Sequence, residues 1–156
     1  MSNTSQVTEI VEWKKLDWKK IQKGVFKLQK RIYQASISGN IKRLRRLQKT
    51  LLRSWNAKLL ATRQVTQDNN GKKTAGVDGV KSVTPKERLV LAKSLTIKQR
   101  PLPAKRIYIP KPGKDELRPL SIPAMRDRAL QALVKLALEP EWERGSFLAK
   151  KRQKLL

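Results

Sequence analysis

KRIYIPKPGKDELRPLSIPAMRDRALQ, running from Lys105 to Gln131, decides how this chain is read. Lys105-Arg106-Ile107-Tyr108-Ile109 alternates like a strand, with Ile107 and Ile109 on one face. Pro110-Lys111-Pro112-Gly113-Lys114 turns the chain, and Leu117-Arg118-Pro119-Leu120-Ser121-Ile122 returns as the partner strand. Pro119 has no amide hydrogen to give a ladder, so its strand belongs at an edge. Pro123 leads into a helix predicted from about Ala124 to Leu138, with Leu130, Leu133, Val134, Ala137 and Leu138 on its core side and Pro140 as its stop. Lys105, Arg106, Lys111, Lys114, Arg118, Arg126 and Arg128 make the stretch basic; Asp115, Glu116 and Asp127 oppose them. A stiff, Pro-punctuated hairpin bearing Lys and Arg suits a grip on phosphate oxygens.

Upstream, Trp18, Ile21, Val25, Leu28, Ile32 and Ala35 recur at alternating steps of three and four, an apolar helical stripe that starts near Trp13. Lys15, Lys19, Lys23, Lys27 and Arg31 form an i, i+4 row beside it. Ser38-Gly39-Asn40 breaks the pattern. A second helix is predicted from Ile41, with Ile41, Leu44, Leu47, Leu51, Trp55 and Leu59 as its apolar side and Lys42, Arg43, Arg45, Arg46, Lys49 and Arg53 crowding the rest. Two helices around so short a turn predict an antiparallel helical hairpin. Its basic rows have two readings, an RNA-binding face or a solvated one.

Residues 66–83, with Gly71, Gly76 and Gly79, read as a loop. Thr84-Pro85-Lys86-Glu87 carries a capping box and a Pro at the first helical position, predicting a helix to about Ile97. Arg100-Pro101-Leu102-Pro103 is an extended connector. The divisions that follow are a loose N-terminus (1–11), a basic helical hairpin (12–65), a loop, helix and β-hairpin region (66–143) and a basic tail (144–156) with Lys150-Lys151-Arg152. The fold class is α+β, mostly helical, with a short antiparallel β-hairpin packed on helices.

Composition limits the functions available. Lys and Arg number 37 against 12 Asp and Glu, a formal net charge of +25 spread through both halves of the chain. Such a field suits nucleic acid. Aromatic residues are 5% and hydrophobic ones 38%, so the core is thin and charge repulsion weakens it further. The chain has no Cys and no His, which excludes disulfides, Cys/His zinc sites, a histidine base and a thiol nucleophile. No apolar run approaches the roughly 20 residues that span a bilayer, and the N-terminus lacks a signal pattern, so a cytoplasmic protein is expected. Trp13 and Trp18 beside the Lys row leave anionic membrane binding as a weaker alternative.

Arg106-Ile107-Tyr108-Ile109-Pro110-Lys111, Leu117 to Pro123, Asp127-Arg128-Ala129-Leu130-Gln131 and Leu138 to Glu143 follow one another in an order and spacing that resemble the fingers region of group II intron reverse transcriptases, or maturases. Thr74-Ala75-Gly76-Val77-Asp78-Gly79 is similar to a second hallmark of that family. The likeness covers about Lys72 to Glu143, and the helices before it suit the family's N-terminal extension in type. Ser121 stands where the family usually has Gly, and the sequence after Glu143 departs from the family pattern.

The resemblance implies a fingers hairpin that closes on a nucleotide, with Lys111 and Arg118 at the phosphate-gripping positions and Lys105 and Arg106 as helpers. It implies contact with the template strand for Gly76 and Gly79, and the basic faces and net charge add Lys19, Lys23, Lys27, Arg31, Arg45, Arg46, Lys49, Arg53, Arg126 and Arg128 as candidates for binding RNA, as intron or template. Gly76 and Gly79 read equally as a tight turn. DNA and a separate palm-containing polypeptide are further partners. The family's catalytic aspartates lie in the palm, so this chain is expected to need no cofactor and not to polymerise alone, Mg2+ belonging to the full-length enzyme. Asp115, Glu116, Asp127, Glu139, Glu141 and Glu143 form no carboxylate pair of the kind that chemistry needs. Related bacterial reverse transcriptases share these motifs. A free-standing basic protein that binds RNA or associates with ribosomes fits the composition equally well, but needs none of the ordered motifs.

Overall fold

The computed structural model describes residues 13–143, 146 and 147. The expectations for 1–11 and, apart from residues 146 and 147, for the basic tail, Lys150 to Arg152 included, fall outside those residues.

Residues 13–15 are helical and are followed by the first long helix, α1 (Trp18–Ile37), which starts where the Asp17 carboxylate accepts from the Lys20 amide at 3.0 Å. Ile21, Val25, Ile32 and Ala35 are buried as the stripe demands, and Leu28 is half-buried. Gly39, at φ +67°, makes the turn, and Asn40 caps α2 (Ile41–Arg53) by accepting from the Arg43 amide at 3.0 Å. α1 and α2 pack on each other as a helical hairpin.

The second helix does not continue through Trp55 as expected. Ser54 is extended (φ −65°, ψ 127°); it ends α2 and caps α3 (Trp55–Arg63) with its hydroxyl. A serine side chain that can bond the backbone competes with the helix it interrupts. The break rotates the stripe, so Trp55 is exposed while Leu59 is buried; Ile41, also assigned to the apolar side, is exposed at the first turn. Past α3 the chain stays helical, through a π turn at Gln64–Asp68 and a 3-10 turn at Asn70–Lys73, so the expected loop begins later than residue 66. α4 (Pro85–Ser94) carries the full Thr84/Glu87 capping box and stops before Ile97, which is exposed.

β1 (Lys105–Pro110) and β2 (Leu117–Ile122) form a two-stranded antiparallel sheet in which Ile107 faces Leu120 and Tyr108 faces Pro119. The hairpin was expected to pack on helices. Its contacts are instead overwhelmingly between its own strands, and Ile107 and Ile109 are only half-buried. A basic two-stranded ribbon has little apolar area with which to dock.

α5 (Met125–Trp142) packs against α1, α2 and α3. It runs through Pro140 instead of ending there. Proline removes the amide that would bond the Leu136 carbonyl. The buried side chain of Gln29, on α1, donates to that carbonyl at 2.8 Å and replaces the lost bond. Two apolar clusters hold the molecule together: a main core among α1, α2, α3 and α5, and a smaller one where Trp13, Ile21 and Leu59 meet Leu89 and Ala92 of α4. Phe147 returns to α1 and stacks on Tyr33 at 5.8 Å. The core side of α5 is Ala129, Leu133, Leu136 and Ala137; Leu130 and Val134 are half-buried and Leu138 is exposed.

Candidate nucleic-acid interface

Lys19, Lys23, Lys27 and Arg31 all lie exposed at one-turn intervals along α1. Their spacing presents a row of cations that no described carboxylate neutralises through an ion pair. On α2, Arg46, Lys49 and Arg53 are exposed as well. A hollow of about 540 Å3 at the start of α2 is walled by Lys42, Arg43, Arg45, Arg46 and Lys49. Arg45 differs from its neighbours: it pairs with Glu141 at 2.8 Å and so also ties α2 to α5.

The β-register divides the four hairpin cations. Lys105 and Arg118 share a face with Ile107, Ile109, Leu120 and Ile122, whereas Arg106 lies on the other face with Tyr108, Pro119 and Ser121. Lys111 sits in the turn, where its ammonium pairs with the Glu116 carboxylate and its amide bonds the Glu116 carbonyl. The four are therefore near one another along the ribbon but do not converge on one point. Tyr108 is a residue that sequence reasoning passed over. It is 61% exposed beside Arg106, an aromatic ring and a guanidinium on one open face. Its place in the strand alternation opposite to Ile107 and Ile109 was the available signal.

Three consecutive residues at the start of α5 serve packing. Arg128 donates from all three guanidinium nitrogens to backbone carbonyls, to Pro123 and Gly71 at 2.9 Å each and to Thr74. Arg126 donates to the Arg100 carbonyl at 2.9 Å, and buried Asp127 accepts from the Leu102 amide at 2.9 Å. Arg128 thus fastens the Gly71–Thr74 turn, and Arg126 with Asp127 fastens the connector that leads into the hairpin. Gly76 is buried against the same helix start: a Cβ there would lie 2.7 Å from the Pro123 carbonyl oxygen. Gly79, at φ +71°, is exposed and closes a turn with its amide on the Gly76 carbonyl at 3.3 Å. Of the residues assigned to RNA, Gly76, Arg126 and Arg128 are thus occupied within the fold and Arg45 is paired with Glu141, while Lys19, Lys23, Lys27, Arg31, Arg46, Lys49 and Arg53 face solvent.

The Glu87 carboxyl is held below its usual range by the Thr84 backbone amide and then by the Thr84 hydroxyl. Arg88 stacks over Trp13 at 5.7 Å, and burial lowers its pKa. Trp13 is itself buried, edge-on to Trp18 at 4.9 Å. Among the described residues no helix is long and apolar enough to cross a membrane. Glu116 is paired with Lys111, Asp127 accepts from the connector, and among the described residues no group of three or more acidic side chains comes together.

Fold and site define a mostly helical α+β module that displays two basic helices and a projecting basic hairpin. The family model described as the N-terminal domain of reverse transcriptase matches residues 13–95, more than half of the chain, and the chain belongs to that family. Maturase-like protein 1 of Euglena gracilis is 34% identical over 131 residues, covering 81% of this chain and 28% of the relative, a span that takes in the β-hairpin. Protein YkfC of Escherichia coli K12 is 42% identical over 86 residues, 51% of this chain and 22% of the relative. The chain spans about a quarter of the length of these curated relatives. It is an N-terminal reverse transcriptase or maturase region.

Proposed function

We propose that this chain is the extension and fingers of a group II intron reverse transcriptase, and that it binds RNA, as intron or template, without polymerising DNA itself. The observation that carries the reading is the open row of Lys19, Lys23, Lys27 and Arg31 on a chain of net charge +25. Rows of cations with one-turn spacing can follow a phosphate backbone and release its counterions. The hairpin adds Lys105, Arg106 and Arg118, and Tyr108 offers a ring on which an unpaired base stacks. In a complete enzyme Lys111 and Arg118 hold the nucleotide's phosphates, with Glu116 released from Lys111 as the phosphate takes its place. Glu116 is held by Lys111 and Asp127 by the connector, and polymerisation and its Mg2+ belong to a palm-bearing polypeptide.

Fluorescence anisotropy with single-stranded and structured RNA tests the reading. Affinity should fall with salt at a slope of about −0.7 per phosphate contact on single strands. Tyr108→Ala should weaken single-strand binding by about 1–3 kcal/mol without changing that slope, since stacking releases no counterions. Salt-independent binding, or primer extension by the purified chain with magnesium, contradicts the proposal.

A further inference from the structure

A pocket of about 300 Å3 opens between α1, α3 and α5, beside the cation row. Val25, Leu60 and Leu136 give it apolar walls. Gln22, Phe26 and Gln29 line it from α1, and Gln64 and Asp68 from the π turn that follows α3. Such turns are uncommon and frequently sit at functional sites. Lys135 and Glu139, one turn apart on α5, complete the lining. Gln29 is 1% exposed, and its amide nitrogen donates to the Leu136 carbonyl. That bond fixes which end of the amide is oxygen, and the oxygen has no hydrogen-bond partner among the described residues. The side-chain amides of Gln22 and Gln64, both half-buried, have none there either. Buried polar groups are ordinarily paired, so three amides with open positions around one pocket point to a ligand.

We infer that this pocket takes one unpaired adenine from an RNA strand whose backbone follows the row on α1, an inference that rests on the RNA reading. The chemistry of the lining selects the base. A Gln side chain bonds adenine bidentately, through the amino group and the neighbouring ring nitrogen. The Gln29 oxygen and the Asp68 carboxylate, which pairs with Arg63 at 3.4 Å, add acceptors for amino hydrogens. Uracil has no amino group to offer them. Phe26 contributes an aromatic ring of the kind on which unstacked bases pack. The carboxylates of Asp68 and Glu139 repel phosphate, so the base enters and the backbone stays outside. Outside, the backbone meets cations. Exposed Lys19 lies three residues before Gln22, and exposed Lys23 and Lys30 lie three before and four after Phe26, so all three flank the pocket on one helix. The row would then hold the strand, and the pocket would set which nucleotide stands at its edge.

Fluorescence anisotropy with the full chain tests the inference on an all-uridine RNA and on the same strand with one central adenosine. The adenosine should tighten binding about tenfold. Purine riboside at that place, which keeps the ring and lacks the amino group, should give no such gain. The double variant Gln22→Leu/Gln64→Leu should abolish the gain and leave the salt slope and the circular dichroism unchanged, since it removes no charge. Gln131→Leu, the same change at an exposed position of α5, should keep the gain. Equal binding of the uridine and adenosine strands overturns the inference and leaves the RNA reading standing. A gain that survives the double variant, or an equal gain from a central cytidine, overturns it too. Free adenosine monophosphate that binds as tightly as the adenosine strand overturns the strand as the source of the base. Failure to bind any strand removes the RNA reading and the inference with it.

Discussion

Gly76 shows how a single residue can carry two readings. Its place in a Gly-rich stretch suits close approach to nucleic acid, yet the backbone it approaches is that of Pro123 and Ala124. Gly76→Ala should destabilise the fold by about 1–3 kcal/mol through overpacking, read from the midpoint of urea denaturation. Arg128 beside it reached the same outcome, its fork filled by three carbonyls. Neither contact could be read from sequence, because the partners are about 50 residues apart and backbone carbonyls leave no sequence signal. The capping box could be read, since all its parts lie within four residues. Glu87 has a lowered pKa, from an ordinary value of 4.5, so its contribution is complete above the unfolded carboxyl's titration. That contribution is lost as pH falls through the lower folded value. Glu87→Gln should make acid unfolding below about pH 4.5 less steep, measured by circular dichroism against pH.

At the scale of elements, local chemistry was legible and interruptions were not. The β-hairpin follows from alternation and a Pro-Gly turn, both short-range signals, and Gly113 at φ +71° occupies that turn. Ser54 and Pro140 were harder. Proline is the helix breaker by type and serine only a capping residue, yet the helix breaks at Ser54 and continues through Pro140. Pro140 is tolerated because Gln29, a polar residue within the apolar stripe of α1, supplies the missing bond to the Leu136 carbonyl. Gln29→Met keeps the volume and leaves that carbonyl buried and unpaired, at an expected cost of about 1–3 kcal/mol. Pro140→Ala restores an amide donor, so the cost of Gln29→Met should shrink in that background. Urea denaturation of the two single variants and the double variant measures a coupling on the order of 1 kcal/mol.

For the whole molecule, charge is the dominant quantity. A net +25 makes the compact state self-repelling, so its melting temperature should rise as ionic strength increases from about 0.05 to about 0.5 M. RNA affinity should fall over the same range. Replacing Lys19, Lys23, Lys27 and Arg31 with Gln should reduce the salt slope on single-stranded RNA by about 3 units, if all four meet phosphate. Differential scanning fluorimetry and anisotropy on the same samples separate the two effects.

The sequence by itself determined the α+β class, the basic helical hairpin, the β-hairpin and its turn, and the likeness to reverse transcriptases. These depend on periodicity, caps and charge, which act over a few residues. Tertiary structure alone decided which cations remain open, which glycine is spent on packing, why α5 passes through a proline, and that one side of α5 stays uncovered. Those outcomes depend on which distant atoms meet, and burial and hydrogen-bond satisfaction are properties of the assembled chain.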